Sequence, residues 1–153
     1  MSNTIMLKNY LNVFEEFVAN AGIYPGHLVE VMSTGKLRMH ATEDGNTLPI
    51  FAIEDEKQGK GINDAYIADD QVQVWIPTRG DIVNAVLLDG ENVAIGDFLS
   101  SAGAGELKKF DAAASAAVIE APALIVGVAV TALNLSSSST SAIANARIQV
   151  RIL

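Results

Sequence analysis

The residues able to do chemistry are few and scattered. His27 and His40 are the two histidines of the chain. A zinc centre takes three or four ligands, and no Asp or Glu stands at metal-ligand spacing from either one. Both histidines read as exposed residues at strand ends. Glu54-Asp55-Glu56 and Asp69-Asp70 carry the oxygen ligands that calcium takes. The helix-loop-helix calcium pattern is absent, and these acidic stretches read as solvated turns. Arg79-Gly80-Asp81 matches a cell-adhesion tripeptide, yet turn chemistry accounts for it: glycine adopts positive φ and the aspartate bonds nearby amides. Ile95-Gly96-Asp97 repeats that chemistry without the arginine, so both read as hairpin turns. The expectation is no catalytic residue, no bound cofactor and no metal.

Gly61-Ile62-Asn63-Asp64-Ala65-Tyr66 resembles part of the uridine-binding motif of trimeric dUTP pyrophosphatases, which are all-β, acidic and near this length. There a Gly, an apolar residue, an Asp and a Tyr line the pocket. Asn63 stands where the water-activating Asp belongs, and an amide cannot accept that proton. The family's Gly-rich, arginine-containing tail is missing too; the sequence ends ARIQVRIL. Gly61 and Tyr66 then read as a turn and an apolar anchor. The chain is expected not to be an enzyme, with a dUTP-pyrophosphatase-like trimer as the alternative from another class.

Composition narrows the partners. The chain has 153 residues, which suits one domain with an arm or a small lobe. Half of its residues are apolar, and the mean hydropathy is positive. No apolar run approaches the ~20 residues of a membrane-spanning helix; Ala121 to Leu135 is interrupted by Pro122, Gly127, Thr131 and Asn134. The opening residues MSNT do not read as a signal peptide, and no membrane partner is expected. The net charge is −8. Its ten basic residues are scattered, whereas nucleic-acid binding needs them clustered. Cysteine is absent, which excludes disulfides and thiolate metal sites. An apolar excess in such a chain points to burial between subunits.

The elements that must position these residues are strands. Asp70 to Leu99 holds three short apolar runs separated by Gly-Asp and Asp-Gly turns: Val72, Val74 and Ile76; then Ile82, Val83, Ala85, Val86, Leu87 and Leu88; then Val93 to Ile95. His27 to Met32 and Lys36 to His40 form a hairpin across Ser33-Thr34-Gly35. Pro49 to Glu54 is a short apolar strand, and Asp55 to Ala65 a long polar loop. Ser100 to Gly105 reads as a flexible turn, and Glu106 to Phe110 as one more short strand. Asp111 to Ala117 is alanine-rich and reads as a loop or a single helical turn. Ala123 to Leu135 reads as a bent strand and Ser136 to Ser141 as a solvated tip. Ala146 to Leu153 alternates cleanly, with Ile148, Val150 and Ile152 on one face and Arg147, Gln149 and Arg151 on the other. Residues 10–20 admit a helix or a strand; the β character downstream favours the strand. Met1 to Asn9, without caps or turn signals, reads as an extended or disordered arm. The fold class is all-β: eight to ten short strands in a barrel or sandwich, with residues 1–20 as N-terminal arm and connecting segment and 21–153 as a single β domain.

The ordered set YPGHLVEV, FAIEDEKQGKGINDAY, VWIPTRGDIVNAVLLDGENVAIGDFLSS, Gly105 to Lys108, LIVGVAVTALNLS and RIQVRI resembles head decoration (cement) proteins of tailed double-stranded DNA bacteriophages. The resemblance spans Tyr24 to Leu153. It implies a compact β-tulip-like domain with a flexible arm, acting without catalysis. It implies a homotrimer on the outer surface of the expanded head, at threefold and quasi-threefold sites, that staples the major capsid protein against the pressure of packaged DNA. The alternative is a β module of the tail or baseplate. It further implies that the arm adds a strand to the capsid, which casts Thr4, Ile5, Met6, Leu7 and Lys8 as capsid-binding residues. On that expectation, deleting Met1 to Lys8 abolishes capsid binding and leaves the fold intact.

Overall fold

The structure is a computed structural model that describes residues 2–111, 125–137 and 142–153. In chain order its strands are β1 (Met6–Lys8), β2 (Phe14–Val18), β3 (Val29–Val31), β4 (Leu37–Met39), β5 (Phe51–Ala52), β6 (Gln71–Trp75), β7 (Ile82–Val86), β8 (Asn92–Val93), β9 (Phe98–Gly103), β10 (Glu106–Lys109), β11 (Ile125–Ala129), β12 (Leu133–Asn134) and β13 (Arg147–Ile152). The described residues contain no α-helix; two 3-10 turns lie at Glu56–Gln58 and Ile143–Asn145. The fold is all-β, as the sequence predicts. Residues 10–20 take the strand alternative.

The largest sheet has the order β1-β7-β13-β11-β9-β10, every pair antiparallel. A three-stranded sheet runs β2-β6-β5, and β3-β4 and β8-β12 are two-stranded. β7 is buried along its whole length, with Asn84 the one polar side chain among its apolar residues. β13 shows the predicted alternation, with Ile148, Val150 and Ile152 buried. Gly127 interrupts β11 for a steric reason. A Cβ there would collide with the Arg151 carbonyl and the Val150 side chain of β13.

Two apolar clusters fill the interior, and the β2-β6-β5 sheet divides them. Trp75 and Phe51 face the first cluster, which the six-stranded sheet completes with Val83, Ile148 and Val150. Val72, Val74 and Ala52 face the second, with Tyr66, Val29 and Leu37. Period-2 alternation thus serves two cores at once.

Four expectations are corrected. First, β6, β7 and β8 do not stack as hairpins; each enters a different sheet. The turns that follow β6 and β8 are corners, each closed by an aspartate. Asp81 Oδ2 accepts the Thr78 N–H at 2.8 Å and Asp97 Oδ2 accepts the Ala94 N–H at 2.9 Å. Asp64 and Asp70 repeat the device with Gly61 and Ile67. Second, Ser100 to Gly103 is strand rather than flexible turn. Ser100 and Ser101 are fully buried because Asp44 and His40 bond their hydroxyls. Third, Glu54 and Asp55 are buried rather than solvated. Fourth, both histidines are buried.

His27 illustrates why. Its Nδ1 accepts the Tyr24 N–H at 3.2 Å, and its ring meets the Tyr24 ring edge-on at 6.0 Å. That geometry needs a neutral ring. Burial, reinforced by the charge of Arg147, pushes its pKa down to about 4. The unfolded chain therefore binds the proton more readily than the folded one. The stabilisation is complete above pH ~6.5 and is lost as the pH falls through ~4, by on the order of 3 kcal/mol. Melting temperature measured from pH 7 to pH 4 is expected to fall more steeply for the natural chain than for His27→Gln. Parallel curves would refute this.

The alanine-rich residues 112–117 and most of the serine tip, 138–141, lie outside the described residues.

Candidate docking interface

The predicted arm residues are held against the domain's own sheet. Ile5 is 0% exposed and sits in the first core. Met6 pairs with Val83 and Lys8 with Ile82, with an irregularity between them, so β1 forms one edge of the six-stranded sheet. The flexible arm is thus corrected. An apolar side chain found a core socket, and two buried carboxylates hold the backbone on either side of β1. Glu54 Oε2 accepts the Ile5 N–H at 3.2 Å, and Asp81 Oδ1 accepts the Tyr10 N–H at 2.8 Å. Thr4 and Leu7 are half-buried and Lys8 is exposed.

Asp81 is the aspartate of the adhesion-like tripeptide, and it is 3% exposed. One oxygen closes its own turn through the Thr78 N–H and hydroxyl while the other clasps Tyr10. No carboxylate is left to present to a receptor. Asp81→Asn replaces one acceptor oxygen by a donor, and the expected cost is about 1–3 kcal/mol. Hydrogen exchange at the Tyr10 amide is expected to quicken in that variant; unchanged exchange would argue against the clasp.

Beside the arm lies a groove of about 250 Å³. Thr4 and Met6 form one wall, Phe14 and Gln73 of the β2-β6 face another, and Ile53 with the acidic run Glu54-Asp55-Glu56 and Lys57 the third. Met6, Phe14 and Ile53 make it apolar; at its rim the exposed charges are Glu56 and Lys57, with Glu54 and Asp55 buried beneath. The segment entering β2 is exposed and apolar: Tyr10 is 88% exposed, Leu11 53% and Phe14 46%. Thr4 and Met6 are the predicted residues that meet here. Phe14 and Ile53 join them without having been singled out for binding, and Glu54 was weighed only as a calcium ligand, because their partners here are distant in sequence. The groove has room for an apolar side chain of an extended segment.

The other candidates are engaged in the fold. His40 Nδ1 lies 2.7 Å from Ser101 Oγ, its Nε2 3.3 Å from the Asn46 carbonyl oxygen and 3.8 Å from Glu30. Among the described residues no group of three His, Cys, Asp or Glu side chains is placed to hold a metal. Tyr66 is the predicted anchor. Its ring is buried in the second core, its hydroxyl donates to the Ile53 carbonyl at 2.7 Å, and burial pushes its pKa up to about 12. Gly61 donates its N–H to Asp64. Asn63 Oδ1 accepts from Arg147 Nη1 at 2.8 Å. Arg147 also donates to the Ile143, Pro25 and Ile62 carbonyls. Burial pulls its pKa down, and the charge of Glu54 opposes that.

No protein-family model and no curated protein sequence matches the chain. Among solved structures, the fold is similar to the N base of head fiber gp8.5 in bacteriophage phi29. The TM-score is 0.58 over 94% of this chain and 95% of that one, at 13% identity. At that identity the likeness speaks for the fold. The chain folds, over nearly its whole length, like the N base of that phage head fiber.

Proposed function

We propose that this chain is a non-enzymatic structural protein of a phage particle, mounted on the outside of the head. The observation that carries the reading is the likeness in fold to a phage head-fiber base across 94% of the chain. The finer reading is a decoration protein. It binds the major capsid protein of the expanded head as a homotrimer, at threefold and quasi-threefold sites, and stabilises the shell by binding the assembled state. The groove flanked by Thr4, Met6 and Phe14 supports this reading, because it offers an apolar floor to a protein partner. The net charge of −8 suits a surface turned away from packaged DNA. Three copies would bring three such sites to one axis, and linked weak contacts gain ~10²–10⁴ in avidity.

The test is co-sedimentation of the purified protein with unexpanded and expanded heads of the phage that encodes it, after its own copies are stripped. Binding to expanded heads alone is the expected outcome. Absence of binding to both, from a folded sample, would overturn a place on the head.

A further inference from the structure

The sheet edges of this protein are unequally guarded. β1 is three residues long and irregular in register. β10 carries Lys108 and Lys109, with a register shift at Glu106. β5 has two residues and is bridged to Leu28. β2 differs from all of these. It has five residues in unbroken register with β6, and contains no lysine, no proline and no bulge. Its guard is negative charge alone, from the exposed Glu15 and Glu16. Among the described residues, β6 is the only strand laid along β2. The Ala19–Leu37 bridge closes its far end and leaves Phe14 to Phe17 open.

The ladder tells which backbone groups are free. Val13 accepts the Ile76 N–H at 2.9 Å and Ala19 donates to the Asp70 carbonyl at 2.8 Å. Hydrogen-bonded pairs alternate along an antiparallel ladder. Odd-numbered residues of this strand therefore bond to β6, and Phe14 and Glu16 turn their N–H and C=O outward. Glu15 and Glu16 are exposed on this edge, and Glu56 is exposed at the groove beside it.

We infer that β2 is an acceptor edge: it binds an extended segment of another protein, basic residues alternating with apolar ones, as an added strand along Phe14 to Phe17. Backbone pairing at Phe14 and Glu16 supplies the affinity. Carboxylates on the edge and the groove rim select positive charge, and Phe14 and Ile53 receive an apolar side chain. The charges also select against a second copy of this chain. An antiparallel pairing of two β2 edges centred at Glu15 or Glu16 sets a glutamate directly opposite its own copy, which is destabilising. The direction of the interaction is thereby reversed from the arm expectation, since the chain receives a strand and its own N-terminal strand is occupied. The inference stands whichever assembly supplies the partner, so its failure would leave the proposed place on a phage head untouched.

The probe is an end-blocked peptide of sequence KVTVRVT, compared with EVTVEVT and with the proline-broken KVTPRVT. The basic peptide is expected to bind and to slow amide exchange at Phe14 and Glu16, while Glu15 and Phe17, already bonded, stay as they are. Glu16→Pro removes one outward N–H where an edge tolerates proline, and is expected to weaken binding ~10-fold. Glu15→Lys with Glu16→Lys is expected to reverse the preference towards the acidic peptide, which a folding defect would not do. Equal binding of the proline-broken peptide would reduce the contact to charge and overturn the inference. So would protection of Phe14 and Glu16 that rises with protein concentration in the absence of peptide, because the occupant would then be a second copy.

Discussion

Ile5→Ala is expected to cost about 3 kcal/mol of unfolding free energy and to lower the melting temperature by roughly 6–12 °C. The side chain is fully buried in the first core, which also holds side chains of β7 and β13. Its removal leaves a cavity that β7 and β13, central to their sheet, cannot close. The backbone bonds around it raise the stakes. The Ile5 carbonyl accepts the Asn84 N–H at 2.8 Å while its own N–H is held by buried Glu54. Deleting residues 1–8 removes all of these and leaves the Glu54 carboxylate buried without that donor. The deletion is therefore expected to destabilise the domain, contrary to the arm expectation. Lys8→Ala, at an exposed position, serves as the control and is expected to stay within about 0.5 kcal/mol. Urea unfolding of the three variants decides the matter. Equal midpoints would mean that the arm is not seated in solution.

The second large effect is expected at Arg147. Its guanidinium donates to Pro25, Ile62, Asn63 and Ile143, which belong to three separate loops. Arg147→Met keeps much of the aliphatic stem and deletes the donors. Hydrogen bonds from a charged group contribute about 1.5–3 kcal/mol each when buried. This group is only half-buried, so a total of about 3 kcal/mol is the reasonable expectation rather than the full sum. Arg147→Lys is expected to recover a minor part, because an ammonium cannot reach acceptors spread around a planar fork. Amide exchange in residues 61–64 should quicken in both variants. A melting temperature within 2 °C of the natural chain for Arg147→Met, where roughly 6–12 °C is expected, would show that the loops hold one another without it.

These two residues mark where sequence reading succeeds and where it stops. Apolar periodicity is local, so β13, β7 and one face of β6 were legible from Ile148, Val150, Val83, Val72 and Val74, while the seating of Trp75 in the other core was not. Glycine and aspartate spacing was equally legible, because an aspartate closing its own turn bonds three residues away. Buried polar groups were not. Glu54 was read as solvated, yet its partner is 49 residues away at Ile5. Asp81 bonds Tyr10 across 71 positions. Arg147 sits on the outward-facing register of β13, where a charge reads as a solvent-facing residue. Ser100 and Ser101 have turn-forming chemistry, which His40 and Asp44 convert into strand by bonding the hydroxyls. Of the candidate interface, Thr4 and Met6 were named because the resemblance casts the uncapped arm as capsid-binding. The acceptor edge was invisible, since an unpaired edge is a property of topology and not of the residues on it.

The sheet order β1-β7-β13 has a consequence for synthesis. The first strand and the last flank the same central strand. While the ribosome is still making residues 147–152, β7 lacks its inner neighbour and β11 has no partner on that side. A nascent chain carrying everything up to Asn145 would expose the apolar faces of both. Closure of the main sheet therefore waits until the final strand emerges, and pairing so distant in sequence is slow. Fragments that stop short of β13 should need a chaperone or aggregate, while a chain that includes it can close the main sheet.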